Sequence, residues 1–133
     1  MALPAQGRLF RSDRVEGPDF GGGRPKILVS RTRPPSEVEE IAALLGADLV
    51  PMGSAGAKAM AIVSGAGDLY YHAGGQHEWD NCAPAAVALG AGLHASRLDG
   101  SALRYNQPDT CIPDLVIGRP DLAARVLAFC AQR

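Results

Sequence analysis

The chain has 133 residues, of which 47% are hydrophobic and 20% charged, and its formal net charge is −1 at pH 7. This length and balance are typical of one folded domain with a hydrophobic core, not of a disordered chain. The near-neutral charge excludes non-specific binding to nucleic-acid polymers, which needs an excess of Lys and Arg. No apolar run is long enough to span a membrane, and the first residues lack the apolar stretch of a signal peptide.

In chain order, the sequence predicts alternating strands and helices. Strands are predicted at 8–12, 26–30, 48–52, 68–73, 93–98 and 113–118, and helices at 36–46, 54–64, 79–91 and 120–131. The Gly- and Pro-rich stretch 15–25 predicts a loop, and Asp99–Gly100 a tight hairpin turn. Ser36 is expected to cap the first helix and Gly46 to end it. The alternation favours an α/β fold, a layered sheet flanked by helices.

The three cysteines indicate a reducing compartment. Cys82, Cys111 and Cys130 are odd in number and form no CxxC pair. Such cysteines fit reduced thiols in the cytoplasm better than a disulfide framework or a zinc site. Cys82 itself is expected to be a small buried hydrophobe.

The stretch "GSAGAK", residues 53–58, is a candidate anion site. It does not match the phosphate-binding loop pattern GxxxxGK[ST]. However, Gly53, Ser54 and Gly56 precede or open a helix whose free N–H groups attract anions, and Lys58 lies in its first turn. A lysine near this positive helix end is unfavourable unless an anion lies nearby. The alternative is a tight strand-to-helix connection with a solvated lysine.

Trp79 and Asp80 stand where a loop becomes an alanine-rich helix. Asp80 could be a helix cap or a ligand for a hard cation such as Mg²⁺, which usually takes more than one carboxylate. Trp79 is more typical of a core anchor than of a substrate platform. The histidines do not complete a catalytic set, because His72, His77 and His94 lack paired helical spacing and a nucleophile or acid neighbour.

Three segments in order carry a family resemblance: "GSAGAK", "LYYHAGGQHEWDNCAPAAVALGAG" and "ASRLDGSALRYNQ". They resemble the C-terminal half of the inositol monophosphatase superfamily, and most closely its CysQ-type 3′(2′),5′-bisphosphate nucleotidases. The superfamily pattern W-D-x-x-A-x-x-x-x-x-x-x-A-G is matched by Trp79, Asp80, Ala83, Ala91 and Gly92. The resemblance implies the C-terminal domain of the sugar-phosphatase fold.

The resemblance also implies a Mg²⁺-dependent phosphomonoesterase that hydrolyses 3′-phosphoadenosine 5′-phosphate to AMP and phosphate. In that family the Asp of the W-D motif binds a catalytic metal, which implies this role for Asp80. The metals lower the pKa of a water nucleophile and hold the phosphate oxygens. The implied substrate-binding residues, near the nucleotide or at the substrate mouth, are Ser30, Arg31, Ser54, Gly56, Lys58 and His72.

The family's other metal ligands come from an E-E pair and a D-P-x-D-G-T motif in its N-terminal half. This sequence has no D-P-x-D-G-T, and its adjacent acidic pair, Glu39–Glu40, falls in a predicted helix. The opening "MALPAQGRLFRS" resembles the strand that follows the missing motif. We therefore expect residues 1–25 to be a strand and a loop left from a missing N-terminal half, and residues 26–133 to be the C-terminal α/β phosphatase domain.

These departures lead to expectations about activity and partners. Asp80 alone should hold Mg²⁺ poorly, so this chain alone should be inactive or weakly active. Apolar faces left uncovered should favour a homodimer or pairing with a chain that supplies the N-terminal half. The expected small-molecule partner is a phosphate ester. The alternatives are an inositol monophosphatase-type phosphatase and a non-catalytic nucleotide-binding or truncated remnant.

Overall fold

The computed structural model describes residues 1–133 and contains a two-stranded and a five-stranded sheet. The strands are β1 (Ala2–Leu3), β2 (Arg8–Leu9), β3 (Lys26–Ser30), β4 (Asp48–Met52), β5 (Leu69–His77), β6 (His94–Ser96) and β7 (Cys111–Gly118). The helices are α1 (Val38–Leu45), α2 (Ala55–Val63), α3 (Glu78–Gly90) and α4 (Pro120–Ala131). No helix is long and apolar enough to cross a membrane.

The five-stranded sheet has the order β4-β3-β5-β7-β6. Strand β3 runs parallel to both β4 and β5, whereas β7 runs antiparallel to β5 and β6. The segments β3-α1-β4 and β4-α2-β5 carry the helical connections that parallel strands require. The mixed sheet with four flanking helices confirms the predicted α/β class.

Both faces of this sheet are buried. Alternate residues of each strand enter opposite cores, so neighbours such as Leu69 and Tyr70 belong to different clusters. One core packs the sheet against α2 and α3, and the other packs it against α1 and α4. Ile27, Leu28 and Val29 of β3 are buried for this reason, as their aliphatic side chains predict.

Helix α1 confirms one predicted boundary and corrects the other. Gly46 ends the helix with a left-handed φ of 62°, as predicted. Ser36 does not cap it, because the helix begins later and Glu37 is the N-cap residue without a side-chain cap bond. The Ser36 hydroxyl instead donates a hydrogen bond to the Glu37 carboxylate at 3.1 Å.

The first residues form less strand than predicted. Strand β2 covers only Arg8 and Leu9 of the predicted 8–12, and it pairs with β1 in a hairpin outside the five-stranded sheet. A 3₁₀ turn at Pro4–Gln6 joins the two strands. The segment then packs on the end of α3, where a Cβ on Gly90 would clash with the Ser12 carbonyl.

The region after α3 also differs from the prediction. A turn is present at Asp99–Gly100, where Arg97 N–H donates to the Ser101 carbonyl at 2.9 Å. The predicted hairpin is wrong, because this turn opens the irregular loop 97–110 and the paired strand β7 begins only at Cys111. Strand β5 is longer than predicted and reaches His77 through a glycine bulge at Gly74–Gly75.

Candidate active site

One polar cavity of about 480 Å³ lies where β3 and β4 end and where α2 and α3 begin. In open α/β sheets, the carboxyl ends of strands are the usual place for ligands. Five residues predicted from the sequence line this cavity: Ser30, Ser54, Lys58, His72 and Asp80. The fold therefore brings residues from four separate elements to one place.

Two other predicted residues do not line the cavity. Arg31 points its guanidinium towards Gly53, 3.8 Å from where a Cβ on that glycine would lie. Gly56 packs beneath Met1, whose Cε lies 3.0 Å from the position of a glycine Cβ. The lining guanidinium is that of Arg33, two residues further along the same "VSRTRP" segment.

Further lining residues were missed by the sequence reasoning, among them Tyr70, Gln76 and His77. They belong to the segment "LYYHAGGQHEWD", which ends with Trp79 and Asp80. A signal was present, because this segment contains eight polar or aromatic side chains and two glycines. Only the bulge in β5 brings Gln76 and His77 to the cavity, and the sequence does not give its register.

Lys58 is a buried cation in the cavity wall. Its side chain is 4% exposed, and Nζ donates hydrogen bonds to the carbonyls of Met52 at 3.1 Å and Ser54 at 3.2 Å. The ammonium also lies 5.0 Å from the centre of the Tyr70 ring. Burial lowers the pKa of Lys58. The alternative of a solvated lysine is therefore wrong.

Ser54 shapes the start of α2 beside this lysine. Its φ of 67° is unusual for a residue other than glycine, and its hydroxyl accepts a hydrogen bond from the Ala57 N–H at 3.2 Å. A serine cap satisfies one of the free N–H groups of the first turn. The remaining N–H groups and the nearby Lys58 make this corner of the cavity favourable for an anion.

His72 is buried on β5 with one ring nitrogen unpaired. The residue is 6% exposed, and Nε2 lies 3.1 Å from the Gly75 carbonyl. Because the Gly75 carbonyl oxygen can only accept a hydrogen bond, the His72 Nε2 must be the donor and therefore carries the ring proton. No group lies within hydrogen-bond distance of the buried Nδ1. Burial lowers the pKa of His72, and the charges of Lys58 and Arg33 lower it further.

Asp80 is both a cap and a cavity residue. It is the third residue of α3, and its Oδ2 accepts a hydrogen bond from the His77 N–H at 2.9 Å, within a capping box. Its Oδ1 accepts no hydrogen bond within the chain. Trp79 is 69% exposed and stacks on His77, with ring centres 4.4 Å apart. The expectation of a core anchor at Trp79 is wrong.

A hydrogen-bonded chain fixes the start of α3 against its surroundings. Tyr105 in the loop 97–110 donates to Asn81 Oδ1 at 2.9 Å, and Asn81 Nδ2 donates to Gln76 Oε1 at 3.1 Å. Gln76 in turn donates to the Tyr70 hydroxyl in the cavity wall. Asn81 is 1% exposed and follows Asp80 directly. This network therefore positions the Asp80 carboxylate.

The donor set in this chain does not make a metal site by itself. Asp80 provides the sole carboxylate that lines the cavity. No group of three or more His, Cys, Asp or Glu side chains lies close enough to hold a metal ion. Mg²⁺ prefers several oxygen ligands, usually one or two carboxylates with phosphate oxygens and waters. Asp80 could thus supply one ligand, which is too few to hold Mg²⁺ without further oxygen ligands.

The three cysteines form no disulfide. Cys82 and Cys111 are exposed, and Cys111 lies at the cavity wall. The expectation that Cys82 is buried is wrong, because it lies on the outer face of α3.

The mixed sheet between two helical layers, with a cavity lined by cationic side chains at its strand ends, defines the class as an α/β protein. The inositol monophosphatase family profile matches residues 24–129. The chain belongs to the inositol monophosphatase family.

Relatives with curated names are similar over nearly the whole chain. It is 55% identical to a 3′-phosphoadenosine 5′-phosphate phosphatase of Mycobacterium leprae over 136 aligned residues, which cover 99% of this chain and 50% of that protein. It is 50% identical to the phosphatase of the same name from Mycobacterium bovis, of which it covers 51%. The chain thus spans about half the length of the curated relatives it matches.

Solved structures share the fold. CysQ from Bacteroides thetaiotaomicron, a bacterial member of the family, matches with a TM-score of 0.66 and 26% identity, over 76% of this chain and 39% of that one. An inositol monophosphatase family protein from Staphylococcus aureus matches with a TM-score of 0.70 and 17% identity, over 86% of this chain and 44% of that one. At this low identity the second likeness concerns the fold alone.

Proposed function

We propose that this chain forms the substrate-binding half of a Mg²⁺-dependent phosphomonoesterase that hydrolyses 3′-phosphoadenosine 5′-phosphate to AMP and phosphate. One observation carries the proposal: a single cavity combines two cations, Lys58 and Arg33, with one carboxylate, Asp80. The names of the relatives that are 50–55% identical to this chain support the same substrate.

In the proposed complex, the cationic side chains bind the ester. The Arg33 guanidinium has no hydrogen-bond partner within the chain, so its donors are available to a phosphate. Lys58 uses two hydrogen bonds to hold the loop after β4, and its charge attracts the anion from the wall. The free N–H groups at the start of α2 add to this attraction. Ser30, Ser54 and His72 complete the proposed substrate contacts.

Asp80 is the proposed metal ligand of this half. Bound Mg²⁺ would lower the pKa of a water and offset charge on the phosphate oxygens. The hydrogen bond from the His77 N–H fixes Asp80 Oδ2, and the hydrogen-bond network that begins at Tyr105 fixes the start of α3. The other oxygen, Asp80 Oδ1, is therefore held in a defined position. The remaining ligands would come from another segment, on the same polypeptide or on a partner chain.

The exposed face of α3 supports the proposal of a partner. Its outward residues carry no charge, and they are Trp79, Cys82, Ala83, Ala86 and Leu89. Leu9 of the hairpin is exposed as well. Uncharged faces of this kind mark protein contacts. We propose a homodimer or pairing with a chain that supplies the N-terminal half, and expect a mass above 13.8 kDa in sedimentation analysis. A monomer at all concentrations would contradict the homodimer.

The proposal includes a domain division and a compartment. The family match at residues 24–129 supports residues 26–133 as the phosphatase domain, with residues 1–25 as a strand and loop next to the segment that supplies the other ligands. The free thiols support a cytoplasmic location.

The first experiment is calorimetric titration of the 133-residue chain with 3′-phosphoadenosine 5′-phosphate, with inositol 1-phosphate as the competing substrate class. We expect the nucleotide to bind more tightly. Arg33→Gln should weaken its binding by about 10- to 100-fold, the worth of a hydrogen bond to a charged group. Arg31→Gln is the matched control, because the same charge is lost outside the cavity. Equal losses of nucleotide affinity in both variants would contradict the assignment of this cavity as the binding site. No binding of the nucleotide by the wild type would refute the proposed function.

The second experiment measures phosphate release from the same nucleotide with Mg²⁺. We expect little or no turnover by the chain alone, and any turnover should be lost in Asp80→Asn, which can keep the cap bond but loses the charge that Mg²⁺ needs. Asp19→Asn is the control, because Asp19 is exposed and makes no side-chain contact in the cavity. Full activity of Asp80→Asn would refute the metal-ligand role.

A further inference from the structure

A second cavity lies on the other face of the five-stranded sheet from the candidate active site. It has a volume of about 570 Å³ and lies between the start of α1, the end of α4 and the turn at Asp99. Tyr71 forms part of its wall, whereas Tyr70 and His72 line the first cavity. Because successive residues of a strand point to opposite faces, β5 separates the two cavities. The proposed function makes no use of this second cavity.

The wall of the second cavity is largely apolar. Leu98 and Leu127 are partly buried and pack against the core between the sheet and helices α1 and α4, and Ala131 lies one turn after Leu127. Small-molecule sites in proteins are clefts of about 300 to 1,000 Å³ with mostly apolar walls and a few placed polar groups. The size and the lining of this cavity match that description, so its wall can hold the apolar body of a ligand.

Glu37 provides a fixed carboxylate in this wall. The buried Tyr71 hydroxyl donates a hydrogen bond to Glu37 Oε1 at 2.6 Å, and the Ser36 hydroxyl donates to Oε2 at 3.1 Å. Each oxygen keeps a further lone pair for a ligand. Burial raises the pKa of Glu37, but the hydrogen bonds from Tyr71 and Ser36 outweigh burial and hold that pKa below its ordinary value. The carboxylate is therefore ionised at pH 7 and can accept a hydrogen bond from a donor in the cavity.

The charges around the second cavity favour a cation. Asp99 lines it from the turn after β6, on a different segment from Glu37. The cation in the wall is Arg133, whose guanidinium already donates to the Glu40 carboxylate at 3.0 Å. Burial raises the pKa of the Cys130 thiol, so this thiol adds no charge at pH 7. Two carboxylates therefore line the cavity beside a cation that is already paired, and this balance attracts a positive ligand.

We propose that the second cavity binds a small organic cation, a primary amine with an apolar body. The ammonium group donates to Glu37 and is attracted by Asp99, and the apolar body covers Leu98 and Leu127. A hydrogen bond between an ammonium and a carboxylate is stronger than one between neutral groups, which favours an amine over an alcohol of the same shape. The inference does not depend on the proposed function, because it concerns the opposite face of the sheet and needs neither a nucleotide nor a metal ion.

Three probes that share a phenyl ring and differ in charge test this proposal: phenethylamine is cationic, phenethyl alcohol is neutral and phenylacetate is anionic. Each is titrated into the nitrogen-15-labelled chain of 133 residues, and the amide signals are followed by two-dimensional NMR. We expect the amine to shift the signals of Glu37, Leu98 and the end of α4. It should bind about 3- to 10-fold more tightly than the alcohol, the worth of one hydrogen bond. Phenylacetate should bind more weakly than the alcohol.

Two variants separate the role of charge from the role of the apolar wall. Glu37→Gln removes the charge but keeps an acceptor for the Tyr71 hydroxyl, so it should lower the affinity for the amine to that for the alcohol and leave the alcohol unchanged. Glu39→Gln is the matched control, because Glu39 is exposed on α1 and its charge lies outside the cavity wall. Leu127→Ala should weaken the amine and the alcohol by the same factor, since it removes apolar wall and no charge.

Four results would overturn the inference. The first two are no shift with any probe and equal binding of the amine and phenylacetate, and both concern the wild type, so they decide the question even if a variant does not fold. The third is a set of shifts confined to residues around Asp80, because the amine would then occupy the first cavity. The fourth is a shift of the same signals with protein concentration alone, because a second copy of the chain would then cover the cavity. None of these results bears on nucleotide binding, so the proposed function is tested separately.

Discussion

Removing the hydroxyl of Tyr105 should destabilise the start of α3. The Tyr105 hydroxyl donates a hydrogen bond of 2.9 Å to Asn81 Oδ1, which is buried. Tyr105→Phe keeps the ring but leaves this oxygen without its donor. A net hydrogen bond contributes about 0.5 to 1.5 kcal/mol, and an unsatisfied buried acceptor costs about 1 to 3 kcal/mol. Because the Asn81 amide keeps its bond to Gln76, only one of its groups loses a partner. We therefore expect a loss of about 1 to 3 kcal/mol in the free energy of unfolding.

Urea unfolding followed by circular dichroism measures this loss, and the fluorescence of Trp79 reports the start of α3 separately. Trp79 is the single tryptophan and lies beside Asp80. The matched control is a double-mutant cycle with Asn81→Ala, which should give a coupling energy of about 0.5 to 3 kcal/mol between the two side chains. Tyr105→Phe with unchanged stability, or a coupling energy near zero, would refute the argument that this network positions the helix.

Two further predictions concern pH and packing. The pKa of His72 in the folded chain lies below its ordinary value of 6.5, so the unfolded chain binds the proton more readily. The free energy of unfolding should therefore decrease as the pH falls from 6.5, and it should decrease less steeply in His72→Phe. Thermal melts that give the wild type and this variant the same dependence of stability on pH would contradict the prediction. Gly118→Ala should cost about 1 to 3 kcal/mol in urea unfolding, because its Cβ would lie 2.8 Å from the Leu69 Cα, whereas Gly22→Ala in open space should be nearly neutral.

The elements that the sequence predicted well are those with strong local signals. Strand β3 is a short buried apolar run, and Gly46 ends α1 because only a residue free of a Cβ adopts its left-handed backbone at no cost. The first hairpin and the loop 97–110 were not predictable in the same way. Their courses depend on packing against α3 and on side-chain bonds such as that from Tyr105, which are contacts between distant parts of the chain.

The candidate site was predictable in its location and less so in its details. The free N–H groups expected at the start of a helix predicted an anion beside Ser54 and Lys58, and both residues line the cavity. The burial of Lys58 was not predictable, since its acceptors are backbone carbonyls that only the folded loop presents. The choice between Arg31 and Arg33 depends on side-chain direction after β3, which the spacing alone does not fix.

The charges in the cavity determine the order in which its ligands bind, if the proposed function holds. A metal ion arriving alone would meet one carboxylate, Asp80, and the repulsion of Lys58 and Arg33. A phosphate ester arriving alone would meet the same two cations and the free N–H groups at the start of α2. The ester should therefore bind without Mg²⁺, and its oxygens then add the ligands and the negative charge that Asp80 lacks. On this argument the nucleotide raises the affinity for Mg²⁺, and by thermodynamic linkage Mg²⁺ raises the affinity for the nucleotide by the same factor.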